Sequence, residues 1–286
     1  MTEIKMPANG SSAQTTEFEC APPESHYTLM PPPKPRPSDQ AIRRMMATYY
    51  DSLAEGFDQF NSEVSFGLYL EAINKLVATE LKSLTKLDRL LAVGAGTGAR
   101  EIAIRRHSNR HFQICCLDLS ESMCALAQAK GLETICEAVS EAALEPNSFD
   151  AAVFLNAFEV LTSDEERSAA LKNISICLRP GGLLFLDAMD IENKFDVWAE
   201  KVKEQFYAND LQHWGYQLGD CFCRRSDQDL TVFAHYSTRE EITRLLAMAE
   251  LSIKEICYLG EDSGAICQSG EGHMFVVAQK ENRSKE

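Results

Sequence analysis

The sequence has no Cys-x-x-Cys pair, no long apolar run and no excess of basic residues. Paired cysteine spacings are the signature of zinc ribbons and redox folds, so their absence argues against both, although the chain holds ten cysteines. Cys115-Cys116, Cys124, Cys136, Cys177 and Cys257 fall within apolar element patterns and read as reduced thiols packed as small hydrophobes. Cys221-x-Cys223 with nearby His213 approaches a ligand set but lacks a second pair, so no metal is expected. No run approaches the ~18 apolar residues of a membrane span, and no basic segment followed by an apolar one opens the chain. The expectation is a soluble, cytoplasmic protein. With 28 Lys and Arg against 43 Asp and Glu, the net charge is −15. Gripping a phosphate backbone needs clustered cations that release counterions, so nucleic acid is not an expected partner.

Proline is scarce beyond residue 37, because eight of the ten prolines lie within residues 1–37. Residues 1–37, rich in Pro, Ser, Thr and Glu, bury too little apolar surface to offset chain entropy and are predicted to be a disordered tail. Docking of its Pro-x-x-Pro segments to a partner is the less favoured alternative. The remaining chain, with 45% hydrophobic residues overall, suits one large domain with appendages.

The most informative stretch is Leu90-Leu91-Ala92-Val93-Gly94-Ala95-Gly96-Thr97-Gly98-Ala99-Arg100. An apolar run breaks into alternating glycines and re-emerges with helical spacing, a buried strand turning sharply into a helix. Glycines there permit positive φ and a close backbone approach, while the helix start offers unpaired N–H groups. Asp118 ends the next predicted strand about 20 residues on, placed to accept ribose hydroxyls.

Strands are predicted near residues 89–94, 112–118, 132–136, 149–155 and 183–187, with helices near 99–107, 121–130 and 164–178 between them. Such alternation implies a parallel sheet covered on both faces. Ser120, Ser163 with Glu166, and Ser237 with Glu240 are predicted helix caps. Ahead of this body, Ser38 opens an amphipathic helix bearing Ile42, Met45, Met46, Tyr49 and Tyr50, and a second helix spans about 65–84. Residues 38–86 are expected to form part of a cover over ligand and substrate, and 87–280 the core. Within that core, about 190–235 is an insertion holding both tryptophans, placed where a lid would sit. A helix near 238–249 leads to strands at 251–258 and 273–279, joined as an antiparallel pair. Residues 281–286 are expected to be flexible.

Five motifs in order, Val93-Gly94-Ala95-Gly96-Thr97-Gly98, Leu117-Asp118-Leu119-Ser120, Asn147-Ser148-Phe149-Asp150, Leu178-Arg179-Pro180-Gly181-Gly182 and Tyr236-Ser237-Thr238-Arg239-Glu240-Glu241-Ile242, give the chain its resemblance to class I S-adenosylmethionine-dependent methyltransferases. It resembles in particular the small-molecule group that includes the ubiquinone and menaquinone biosynthesis enzymes. The resemblance implies an α/β, Rossmann-like sheet of seven mostly parallel strands, the last antiparallel, with helices on both faces. It implies S-adenosylmethionine as cofactor and a small-molecule methyl acceptor. Gly94, Ala95, Gly96 and Gly98 would approach the methionyl end, Asp118 the ribose, and Leu119 and Met123 the adenine face. Glu137-Ala138 stands where the family carries Asp-Ala against the adenine amino group. Asn156 would face the sulfonium, and Tyr49 or Tyr50 would cover the methionine portion, with Tyr50 the preferred candidate.

Methyl transfer asks chiefly for alignment, plus a base where the nucleophile carries a proton. His235 and Tyr236, just before a predicted helix, lead the candidates for that role, followed by His213, Glu159 and Asp190. The alternatives are a non-catalytic S-adenosylmethionine-binding protein and a protein methyltransferase. A dinucleotide oxidoreductase is disfavoured because the third glycine comes one residue too early for Gly-x-Gly-x-x-Gly. The acceptor atom, N, O or C, and the oligomeric state are left open by the sequence.

Overall fold

Short apolar runs bounded by Gly, Asn and Asp become strands, and the amphipathic stretches between them become helices. The computed structural model describes residues 27–59, 67–225 and 230–281. Residues 1–26 of the predicted tail, the predicted helix start at Ser65 and residues 282–286 of the predicted flexible end lie outside the described residues.

In chain order, β1 (Tyr27–Met30), α1 (Asp39–Leu53) and α2 (Gly67–Ser83) precede the core. The core begins with β2 (Arg89–Val93), α3 (Ala99–Ser108), β3 (Gln113–Asp118), α4 (Glu121–Ala129), β4 (Glu133–Cys136) and β5 (Phe149–Phe154). It continues through α5 (Asp164–Cys177), β6 (Leu178–Ala188), α6 (Val197–Ala208), β7 (Asp220–Arg225) and β8 (Leu230–His235). The described chain ends with α7 (Arg239–Met248), β9 (Leu251–Leu259), β10 (Ile266–Cys267) and β11 (His273–Lys280).

The main sheet has eight strands in the order β10-β9-β11-β6-β5-β2-β3-β4. Strands β2 to β6 pair in parallel, and β11 lies antiparallel to both β6 and β9. The strand beyond the predicted seven is the two-residue β10, which prolongs the edge past β9. Along β2, Leu91 and Val93 pack into one core while Leu90 and Ala92 pack into the other. This two-sided burial is why the strand reads as an unbroken apolar run. Helices α5 and α7 cover the first face through Leu171, Ile174, Ile242 and Leu245, and α2 and α3 cover the second through Tyr69, Ile73, Val77 and Ile104. The Arg179-Pro180-Gly181-Gly182 motif forms a bulge on β6, opposite Asp150, whose carboxylate accepts from the Asp88 and Arg89 amides.

A second sheet, β1-β7-β8, roofs the C-terminal edge of the main sheet. Its Phe222 and Phe233 pack on Ile42, Met46 and Tyr49 of α1. Here the disordered-tail expectation is corrected for residues 27–37. Tyr27–Met30 pairs with Phe222–Arg225, Tyr216 Oη donates to the Pro33 carbonyl at 2.6 Å, and Arg36 bonds the Thr162 carbonyl. Prolines that cannot continue a sheet still support an edge strand and an extended strap.

One predicted cap shifts and one predicted capping box forms only in part. Thr238, not Ser237, opens α7, its Oγ1 accepting from the Glu241 amide at 3.0 Å. Ser237 is held in a bridge to Asp190, its amide bonded to the Met189 carbonyl at 2.8 Å, so the helix starts one residue later. Ser163 caps α5 as expected, but the Glu166 carboxylate turns to the Thr162 amide and hydroxyl instead of reaching back to Ser163.

Candidate functional site

A cavity of about 510 Å³ opens beneath the roof, along the C-terminal ends of β2, β3, β5 and β6. Its floor is the glycine turn. Gly94, Gly96 and Gly98 have φ of 60°, 54° and 73°, a region that only glycine enters freely. A Cβ on Gly94 would lie 2.2 Å from that of Ala157, and one on Gly96 3.1 Å from the Phe57 ring. Gly94, Ala95 and Gly96 line the cavity. Gly98 does not: its missing Cβ makes room for Leu132, which such an atom would meet at 2.2 Å, so the reading of Gly98 as a cofactor contact is corrected to a packing role.

Asp118 enters the cavity from the end of β3. Its Oδ2 accepts from the Gly96 amide at 2.8 Å and its Oδ1 from the Ser120 amide at 2.9 Å. Burial raises its pKa, and the amide hydrogen bonds partly offset that effect. The carboxylate therefore fixes the loop while each oxygen retains acceptor capacity. Leu119, Glu137 and Ala138 line the same end. Met123 does not reach it; fully buried, it packs with α1 and the roof, because its place on α4 turns it inward. Asp51 of α1 accepts from the Ser120 hydroxyl at 2.6 Å and the Ser122 amide at 3.1 Å, tying the cover helix to this end of the site.

At the other end stand Tyr50, Asn156 and Glu159. Tyr50 meets Tyr49 and Phe57 edge-on, at 5.1 and 6.3 Å between centroids. Asn156 adopts φ 51° and donates its amide to Asp187 Oδ1 at 2.6 Å, while Tyr69 donates its hydroxyl to Asp187 Oδ2 at 2.7 Å. Four atoms of the cavity lining are shut from solvent with neither a hydrogen-bond nor an ion-pair partner, namely Arg100 Nη1, Glu101 Oε2, Asn156 Oδ1 and Glu159 Oε2. Buried polar atoms are rarely left so, and their convergence on one cavity marks a polar ligand. Burial, and then the neighbouring charge of Asp187, push the Glu159 carboxyl up to about 7.

The leading sequence candidate, His235, is corrected. It is buried but does not line the cavity, and both ring nitrogens are engaged, Nδ1 with Asp220 at 2.7 Å and Nε2 with Glu241 at 3.0 Å. Alternation along β8 turns His235 away from the cavity that Ala234 and Tyr236 face. His213 is likewise corrected: it lies exposed on a 3₁₀ turn, edge-on to Trp214. Asp190 caps its own turn through the Glu192 amide at 2.9 Å and does not line the cavity. Tyr236 and Glu159 do line it. Sequence reasoning missed Arg100, Asp187, Asp196 and His273. Arg100 was visible as the second residue of a helix that starts at the glycine turn, whereas the others depend on the pairing of β6, β11 and the roof. Among the described residues no cluster of His, Cys, Asp and Glu is placed to hold a metal ion, and no helix is long and apolar enough to cross a membrane.

The alternating sheet, the glycine turn and the strand-end acid define a nucleoside-binding α/β enzyme site, and comparison with known proteins specifies the class. Residues 91–186 match the family model described as a methyltransferase domain. The chain is 29% identical over 189 residues to the ubiquinone/menaquinone biosynthesis C-methyltransferase UbiE of Bartonella tribocorum, a match covering 60% of this chain and 72% of that protein. It is 30% identical to a putative methyltransferase of Geobacillus over 56% of this chain and 64% of that one. The structure of Burkholderia thailandensis 1,6-didemethyltoxoflavin-N1-methyltransferase, solved with S-adenosylhomocysteine, has the same fold at 15% identity, with a TM-score of 0.61 over 91% of this chain and 97% of that one. The chain is a class I S-adenosylmethionine-dependent methyltransferase.

Proposed function

We propose that this methyltransferase acts on a small-molecule acceptor in the cytoplasm, held in the part of the cavity between Glu159 and the roof. The observation that carries this reading is the set of partnerless buried atoms gathered in one roofed cavity. In it, Arg100 Nη1 receives the cofactor's carboxylate, Asn156 Oδ1 its ammonium group, and Asp118 the ribose hydroxyls. Leu119, Glu137 and Ala138 frame the adenine, and Tyr50 covers the methionyl chain. When bound, S-adenosylmethionine supplies a methyl group already activated on a sulfonium. The chain's own task is to align the acceptor, exclude water beneath α1 and the roof, and accept a proton at Glu159. Tyr236, tied to Asp196 by a side-chain hydrogen bond, orients the acceptor from the roof. The acidic net charge supports a small molecule over nucleic acid.

Calorimetric titration with S-adenosylhomocysteine and with NAD is expected to give binding for the first alone. Asp118→Ala is expected to weaken that binding at least about tenfold, since a buried charged acceptor is lost. Release of S-adenosylhomocysteine in a metabolite panel then tests the acceptor class. Turnover with protein substrates and none with small molecules would overturn the reading.

A further inference from the structure

At the acceptor end of the cavity carboxyl groups outnumber basic groups. Glu159, Asp187, Asp196 and Glu261 line it, against the cations Arg100 and His273. Most of these groups are already committed. Asp187 accepts from Tyr69 and the Asn156 amide, and Asp196 from the Trp198 amide at 2.8 Å and from Tyr236. His273 lies 3.6 Å from Glu261. Arg100, in the reading above, faces the cofactor carboxylate. Glu159 Oε2 is left with no partner, cut off from solvent and lining the cavity, and the other partnerless carboxylate oxygen, Glu101 Oε2, has Asp118 and Lys130 among its charged neighbours and so belongs to the glycine-turn end. Trp198 and Tyr236 add aromatic surface to the same cavity.

We propose that the acceptor is an amine, entering as its ammonium ion, and that Glu159 both anchors its nitrogen and takes its proton. The inference rests on the small-molecule reading and narrows it to one substrate class. An uncompensated carboxylate in a low-dielectric wall favours a cation that donates a hydrogen bond, and aromatic faces favour the same charge. An anionic acceptor would instead face the partnerless carboxyl group of Glu159. The ammonium gives a proton to Glu159, the freed nitrogen lone pair forms the N–CH₃ bond, and the C–S electron pair leaves on sulfur. The product is the N-methylammonium, and the Glu159 proton passes to solvent.

The test is calorimetric titration of the full chain saturated with S-adenosylhomocysteine. The probes are three matched sets of increasing size built on 2-phenylethylamine, each with its alcohol, phenol and carboxylate counterparts. The amine of at least one set is expected to bind about tenfold or more tightly than its counterparts. Glu159→Gln is expected to abolish that preference while S-adenosylhomocysteine affinity stays within about twofold. Tighter binding of an alcohol, phenol or carboxylate overturns the amine inference alone, as does a preference that survives Glu159→Gln. Loss of S-adenosylhomocysteine affinity in Glu159→Gln also overturns it, by assigning the carboxylate to the cofactor. Failure of every probe to bind overturns both this inference and the small-molecule reading.

Discussion

Glu159 titrates near neutrality because nothing on the facing elements compensates it fully. Burial chiefly, and then the charge of Asp187 on β6, raise the energy of its charged form, while His273 on β11 and Arg100 on α3 lower it by less. As a base it is active when ionised, so kcat/KM is expected to rise with pH through about 7. In Glu159→Gln that limb should vanish and the rate fall by about 10²–10⁴. A pH–rate profile of both proteins checks this. Arg100→Met is expected to weaken S-adenosylhomocysteine about tenfold or more, measured by calorimetry, because the cofactor carboxylate would be buried without its cation. The two residues differ in how they show in the sequence. Glu159 follows β5, where pattern alone directs attention to the sheet edge. Arg100 reads as an ordinary helix residue until the turn before it is seen to roll the helix start over the cavity.

At the scale of elements, His235 is a fastener between β8, β7 and α7. Burial and Arg167 disfavour its charge, yet hydrogen bonds to Asp220 and Glu241 outweigh them and its pKa is raised above 6.5. A histidine raised in the folded state contributes stability that is complete below its unfolded value and is lost as pH rises through the folded one. Urea unfolding across that range should therefore show stability declining with pH, and His235→Gln should flatten the decline. The strands and most helices were legible because two-sided burial writes apolar runs and caps write Ser or Thr at helix starts. The side of β8 on which His235 lies was not legible. A one-residue change of register reverses every side chain, and the register is set by pairing with β7 across a turn.

For the molecule as a whole, the parallel sheet and its cofactor were accessible from sequence because strand, glycine turn and acid recur at local spacings. The roof was not, since it joins residues near 27, 49, 222 and 233 that share no local pattern. Prolines suggested disorder where the chain is in fact strapped down at Pro33 and Arg36. Deleting residues 1–37 should lower the thermal midpoint by several degrees, about 2–4 °C per kcal/mol lost for a chain of this size, and raise hydrogen exchange in β7. Differential scanning calorimetry and exchange mass spectrometry check both.

The pairing of Tyr27 with Arg225 also has a temporal side. A ribosome making this chain releases the first strand of the roof about 200 residues before its partner exists. Until then the backbone of β1 waits as an unpaired edge, although α1, which carries Tyr49, follows it closely in the chain. The roof of the methyl-transfer chamber thus closes only after β2 to β6 have been synthesised, and its wall is completed later still by Glu261 and His273, so newly made protein should become competent for acceptor binding later than its cofactor turn takes shape.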